Sequence, residues 1–190
     1  MNIQKALNIL SEHLQTYNND LKGNVFIENI AEKSNDGVNI TLIKVEEEAV
    51  LKNGKYSKVT LSQKVEYKNR PVYANLFILF STKADNYFGE LTLLSQVVEF
   101  FQGKNVFTHY DGISPTSLGD NKNDNEQFKI ILELQNQSLE QVNHLWGFLG
   151  GKQKPAVLYR ARIIPLIAKD KVNAEGEPIL QININGNPNL

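Results

Sequence analysis

The residues best equipped for chemistry are concentrated between Ser138 and Arg162, in the stretch SLEQVNHLWGFLGGKQKPAVLYRAR. It holds the only tryptophan, Trp146, one of three histidines, His144, the pair Gly150-Gly151, and Arg160 with Arg162. Metal binding, nucleophilic catalysis, phosphate binding and docking of a macromolecule could each use such residues. Glu140 and His144 are four apart, so on a helix they are neighbours that could share a metal. A catalytic zinc needs three protein ligands, and neither an HExxH pattern nor a second nearby histidine is present; His13 and His109 sit in no ligand pattern. Cysteine is absent, which removes disulfides, iron–sulfur clusters, thiolate zinc sites and cysteine nucleophiles. A Ser-His-Asp triad assembles through space and is not legible in sequence, but no GxSxG elbow occurs. In GFLGGK, three residues and not four separate Gly147 from Gly151-Lys152, so the phosphate-loop spacing fails. That run also closes a helix, where carbonyls present negative potential to an incoming phosphate.

Docking is the chemistry left standing. Ser138 and Gln141 form the S-x-x-Q pattern of a capping box, so a helix begins here, and Gly150-Gly151 ends it. On that helix Leu139, Val142, Leu145, Trp146 and Leu149 share one broad face, which makes Trp146 a structural anchor and turns Glu140 and His144 outward. The strand that follows, PAVLYRARIIPLI, carries Val157, Tyr159, Ala161 and Ile163 on one face. Leu158, Arg160, Arg162 and Ile164 occupy the other, and Pro165 marks an end or an edge. Tryptophan, tyrosine and arginine are enriched at interface hot spots. Glu140, His144, Arg160 and Arg162 are therefore candidate partner contacts, set against the plainer alternative of ordinary packing with solvated arginines. No catalytic, cofactor or metal-binding residue is assigned.

The elements that position these residues follow from periodicity. Ile3, Ala6, Leu7, Leu10, Leu14, Tyr17 and Leu21 fall on one stripe and predict a helix over residues 2–21, stopped by Gly23. NVFIENIA and VNITLIKVEEE read as strands; Asn53-Gly54 signals a turn before VTLSQKVEY, giving a long hairpin with an acidic side and a basic tip. PVYANLFILFS is apolar on both faces, as a doubly covered central strand must be. Asp85 is the candidate cap of the next helix, whose core stripe is read as Tyr87, Phe88, Leu91, Leu94, Val98 and Phe101. Leu93, Val97 and Phe100 form a second apolar row, and Phe100 is a contact candidate if that row is exposed. NVFTH is a short strand, Tyr110 to Gln127 a long polar loop, and FKIILEL a half-buried strand. After Ala168, KDKVNAEGEP is a polar spacer before ILQININGNPNL, where Ile179, Leu180, Ile182 and Ile184 could add a strand to a neighbour.

These elements predict an α+β fold: a mainly antiparallel or mixed sheet with about three helices packed largely on one face, plus a C-terminal extension. The division is 1–168 for the domain and 169–190 for the arm. At 190 residues the domain can bury roughly 70% of its unfolded surface and needs no staple. With 20 basic and 21 acidic residues there is no basic block of the kind that binds nucleic acid. No signal-peptide pattern opens the chain and no apolar run approaches the ~20 residues of a membrane span. The expectation is a soluble, cytoplasmic protein.

Four blocks carry a family resemblance: ITLIKVEEE, NRPVYANLFILFS, LTLLSQVVEFFQGKNVFT and, above all, SLEQVNHLWGFLGGKQKPAVLYRAR. Across most of residues 1–168, and in this order, the chain resembles the cap or tail-terminator proteins of phage-tail-like contractile injection systems, the antifeeding prophage and Photorhabdus virulence cassette type. The resemblance implies a non-enzymatic role without cofactors. It implies a sixfold ring of the protein at the end distal to the baseplate, bound to the inner-tube and sheath proteins and in some layers to a further cap protein. It implies assembly in the cytoplasm into a particle released from the cell. Some relatives carry a second domain after this one, and the 110–127 loop is long for the family, which leaves open whether the layer is an adaptor or the outermost cap. A small hydrolase-like enzyme using His144 or His109, or a free peptide-binding adaptor, are the alternatives.

Overall fold

The structure is a computed structural model that describes residues 2–48, 57–59, 65–67, 72–108, 129–150, 152–166 and 174–176. Helix α1, Ile3–Gln15, starts at Asn2, whose side chain accepts a hydrogen bond from the Lys5 N–H at 2.7 Å. Its apolar stripe is buried from Ala6 to Leu14. The helix stops well short of residue 21, because polar side chains capture the backbone that would continue it. The Thr16 hydroxyl donates to the His13 carbonyl at 2.7 Å, and Asn18 Oδ1 accepts from the Leu21 N–H at 3.0 Å. Leu21 is still fully buried, from a turn, whereas Tyr17 is exposed.

Strands β1 (Val25–Ile27), β2 (Gly37–Glu47), β3 (Ser57–Val59), β4 (Val65–Tyr67) and β5 (Val72–Lys83) follow. Helix α2 is Tyr87–Gly103, then come β6 (Val106–Thr108), β7 (Lys129–Leu134), helix α3 (Leu139–Phe148), β8 (Ala156–Leu166) and β9 (Ala174–Gly176). The main sheet has the order β1-β2-β5-β8-β7-β6, antiparallel throughout except for the parallel pair β1/β2. This is the expected α+β fold with a mixed sheet. A second sheet, β3-β4-β9, is antiparallel. VTLSQKVEY thus contains parts of two paired strands and not one, and the presumed spacer after Ala168 supplies β9. Asn53-Gly54, the 110–127 loop, His109 and residues 177–190 lie outside the described residues.

β5 is the central strand its sequence predicts. Leu76, Ile78 and Phe80 enter one core with α1 and α2, while Phe77 and Leu79 turn to a second core under α3. Two of the three helices therefore share a face, and α3 alone covers the other. In the larger core Phe80, Phe101 and Tyr159 meet with ring centroids 4.9–5.7 Å apart, close enough for edge-on aromatic attraction.

Three expectations about side-chain direction are corrected. Asn86, not Asp85, caps α2, accepting from the Gly89 N–H at 2.8 Å. The buried face of α2 is Val97, Phe100 and Phe101; of the expected core stripe only Phe101 is buried, and Tyr87, Phe88 and Leu91 are exposed. The first turn of α2 is tied to the end of β5, where the Thr82 hydroxyl donates to the Glu90 carbonyl at 2.9 Å, and only the later turns reach the aromatic core. On β8 the alternation breaks, because the pairing with β5 shifts register between Ala74 and Leu76. The extra residue on β8 turns Ile164 to the same side as Tyr159 and Ala161. Among the described residues no helix is long and apolar enough to cross a membrane.

Candidate docking surface

The surface around α3 starts from its cap. The Ser138 hydroxyl accepts from the Gln141 N–H at 3.3 Å, and Gln141 Oε1 accepts from the Ser138 N–H at 3.0 Å, so both halves of the capping box are formed. The helix is pinned from its far half: Trp146, 7% exposed, and Leu149 pack on Leu79 and Leu158, with Val142 and Leu145 alongside. Trp146 is the anchor its spacing predicts. Leu139 is not part of that face in the structure; at the first position of the helix it is 89% exposed. Glu140 and His144 are exposed, one turn apart.

Arg160 and Arg162 are not free. Both donate to one carboxylate, Arg160 Nη2 to Glu133 Oε2 at 2.6 Å and Arg162 Nη1 to Glu133 Oε1 at 2.8 Å. Arg162 also lies 4.0 Å from Glu48, which accepts from Asn75 Nδ2 at 3.0 Å. The cluster crosses four adjacent strands or their ends on the α3 side of the sheet, where the helix leaves that face uncovered. The Arg160 hydrogen bond, then that of Arg162, holds the Glu133 carboxyl below the usual carboxylate range. The hydrogen bond that Arg162 donates to Glu133 in turn raises the pKa of Arg162.

Phe100 does not meet the condition set for it as a contact. At 8% exposed it sits in the core between Tyr17, Phe101 and Phe107. Ile179, Leu180, Ile182 and Ile184 lie outside the described residues. At the opposite end of α3, Lys154 donates to the Ser34 hydroxyl at 2.5 Å, and burial, then the nearby Lys83 charge, lowers its pKa. A cleft of about 220 Å³ beside it is lined by Asp36, Lys83 and Asp85, but the Lys83–Asp36 ion pair at 2.7 Å already spans that wall. Among the described residues no group of three or more His, Asp or Glu side chains is placed to hold a metal ion.

Among the described residues the surface is charge-studded and has no converging set of reactive groups, and comparison with known proteins bears on what surface it is. Residues 5–181 match the family model described as the Pvc16 N-terminal domain. The chain belongs to the Pvc16 N-terminal domain family. This is the contractile-injection cap and terminator group that its sequence blocks resemble. Among solved structures, the chain is similar to the PVC sheath/tube terminator of an extracellular contractile injection system in its extended state. That match has TM-score 0.62 and 15% identity, covering 100% of this chain and 65% of that one. It is also similar to the tube-terminating cap of the anti-feeding prophage, with TM-score 0.60 and 13% identity, covering 96% of this chain and 60% of that one. At these identities the likeness is one of fold, and the chain spans less than two thirds of either protein's length. No curated protein sequence matches.

Sequence reasoning missed two features of this surface. Glu133, the residue that fixes both arginines, looks in FKIILEL like an ordinary outward strand position, and nothing local marks its partners. Phe148, 82% exposed at the end of α3, and Phe88, 80% exposed at the start of α2, are large apolar side chains facing solvent. The periodicity of α2 assigns Phe88 to the core stripe, and the structure leaves it in solvent.

Proposed function

We propose that the chain is a structural terminator of a contractile injection particle, one subunit of a ring that ends the inner tube and sheath distal to the baseplate and holds both there. The observation that carries this is the match of its whole length to the fold of a PVC sheath/tube terminator. The role is non-enzymatic and needs no cofactor. The ring is a homohexamer, its partners are the tube and sheath proteins, and a further cap protein joins where this chain is an adaptor layer. The protein is made in the cytoplasm and leaves the cell as part of the particle. Glu140 and His144 face partners from α3, with Arg160 and Arg162 beside them. Ile179, Leu180, Ile182 and Ile184 follow β9 and add a strand to a neighbouring subunit.

The test is electron microscopy of particles assembled with and without the protein. Ragged or over-long tubes and sheaths in its absence support the reading, and unchanged length and end structure reject it. Removing residues 177–190, which spares β9, should weaken incorporation while leaving the fold intact.

A further inference from the structure

Where β5 ends, two lysines meet on one serine. Lys83 is the last residue of β5 and pairs in register with Gly37 of β2. On the other side of β5 the Thr82 N–H donates to the Pro155 carbonyl at 3.1 Å, which lays Lys154 alongside the same strand end. The segment that enters β2 is braced by the buried Asn39, which accepts from the Asn35 N–H at 2.9 Å and donates to the Asn35 carbonyl at 2.8 Å. Ser34 is thereby held within reach of both amines. Lys83 Nζ donates to its carbonyl at 3.3 Å and Lys154 Nζ to its hydroxyl at 2.5 Å.

The two lysines differ in what holds them. Lys83 has a carboxylate, Asp36 at 2.7 Å, which favours its ammonium form. Among the described residues Lys154 has no ion pair, and its partner is a hydroxyl, which donates as well as accepts and so can also hold a neutral amine. Lys154 is partly buried; that burial, then Lys83 and, least, Lys152, oppose its charge more than Glu90 and Asp36 support it, which leaves its pKa lowered. A neutral amine carries the lone pair that an ammonium lacks, and a lysine freed of its proton by desolvation and a neighbouring cation is a nucleophile.

We propose that Lys154 is a site of acylation by acyl phosphates, with the Lys83 ammonium beside it drawing in the phosphate group. The Nζ lone pair attacks the acyl carbonyl carbon. A C–N bond forms, the bond from that carbon to the phosphate oxygen breaks, and inorganic phosphate leaves with the electron pair. The surplus proton on the nitrogen passes to the departing phosphate. The product is a neutral amide, which removes one of the two positive charges crowded at Ser34 and keeps an N–H for its hydroxyl. The inference is independent of the terminator reading.

The test is treatment of the folded full-length protein with acetyl phosphate at near-neutral pH, with acetylation at each lysine followed by peptide mass spectrometry. Lys22 and Lys152, both exposed, are the internal standards. Lys154 should acetylate at least about fivefold faster than either. The ratio should narrow as pH rises toward 10.5, the ordinary lysine value, where lysines in general lose their protons. In guanidinium chloride, where the cluster at Ser34 is gone, the three should react alike. Lys83→Met should lower the ratio at least about threefold, and Lys83→Arg, which keeps the neighbouring charge, should hold it within about twofold. Thermal unfolding checks that both variants keep the fold, and should either fail to fold, the comparison within the wild type decides. Equal rates at Lys154 and the standards, a preference that survives denaturation, or a folded Lys83→Met variant with the full preference would each overturn the proposal.

Discussion

The attachment of α3 to the sheet should respond sharply to one buried side chain on the strand beneath it. Leu79 is 2% exposed at the centre of β5 and shares a small core with Trp146, Leu149 and Leu158. Leu79→Ala removes three carbons, about 2.4 kcal/mol at ~0.8 kcal/mol per buried methylene. A cavity term adds to this, because a central strand held on both sides cannot move to close the gap. The expected loss is about 3 kcal/mol, within the range of roughly 2.7–5 kcal/mol for buried Leu→Ala changes. For a chain of this length that is a fall in Tm of roughly 6–12 °C. Trp146 is the only tryptophan, so its emission reports on this core alone. Urea unfolding followed by circular dichroism gives the stability, and native-state emission should shift to the red as water reaches the indole. A loss below about 1 kcal/mol with unshifted emission would refute the assignment of Leu79 as the floor on which α3 rests.

Three further outcomes are expected. Glu133 has a folded pKa below its ordinary value of 4.5, so its contribution to stability is complete above that value and is lost as pH falls through the depressed one. Glu133→Gln should flatten this part of the acid-unfolding profile, and a profile identical to wild type would count against the cluster. Gly37 has φ +127°, and an added Cβ would lie 2.3 Å from the Asn24 carbonyl oxygen. Gly37→Ala should therefore cost more than about 1 kcal/mol, whereas Gly147→Ala, in open space on α3, should gain about 0.5–1 kcal/mol in chemical denaturation. Ser138→Ala should cost about 1 kcal/mol and speed hydrogen exchange in the first turn of α3; unchanged exchange there would argue against the cap.

What could be read from sequence was what local chemistry decides. The capping box at Ser138 and Gln141 and the two-faced apolar run of β5 involve residues close together in the chain, and both are found where expected. α2 is different, since two of its rows are apolar and composition cannot choose between them. The choice is made by where the helix leaves β5 and by the aromatic partners Phe80, Phe107 and Tyr159, all outside the helix. The inversion of Ile164 depends on a register shift against β5, a property of the pairing and not of β8 itself. Glu133 meets its arginines across 27 and 29 residues, so its role appears only once β7 is known to lie beside β8.

The same cluster changes how Arg160 and Arg162 should be tested as partner contacts. Glu133 occupies one nitrogen of each guanidinium, and the Nε atoms of both are enclosed without a hydrogen-bond partner. A guanidinium offers five N–H donors in a fixed fork. An acidic partner would therefore bind through the outward amines while Glu133 keeps the forks aligned, and no arginine would have to be ordered on binding. Substituting either arginine alone removes a partner of Glu133 as well as any contact with a neighbour, so a loss of assembly would have two causes. Glu133→Gln separates them, since it loosens the forks but leaves both positive charges in place. If Glu133→Gln assembles normally while Arg160→Ala does not, the arginine is read directly by its neighbour. If both fail alike, the alignment of the pair is what the neighbour needs.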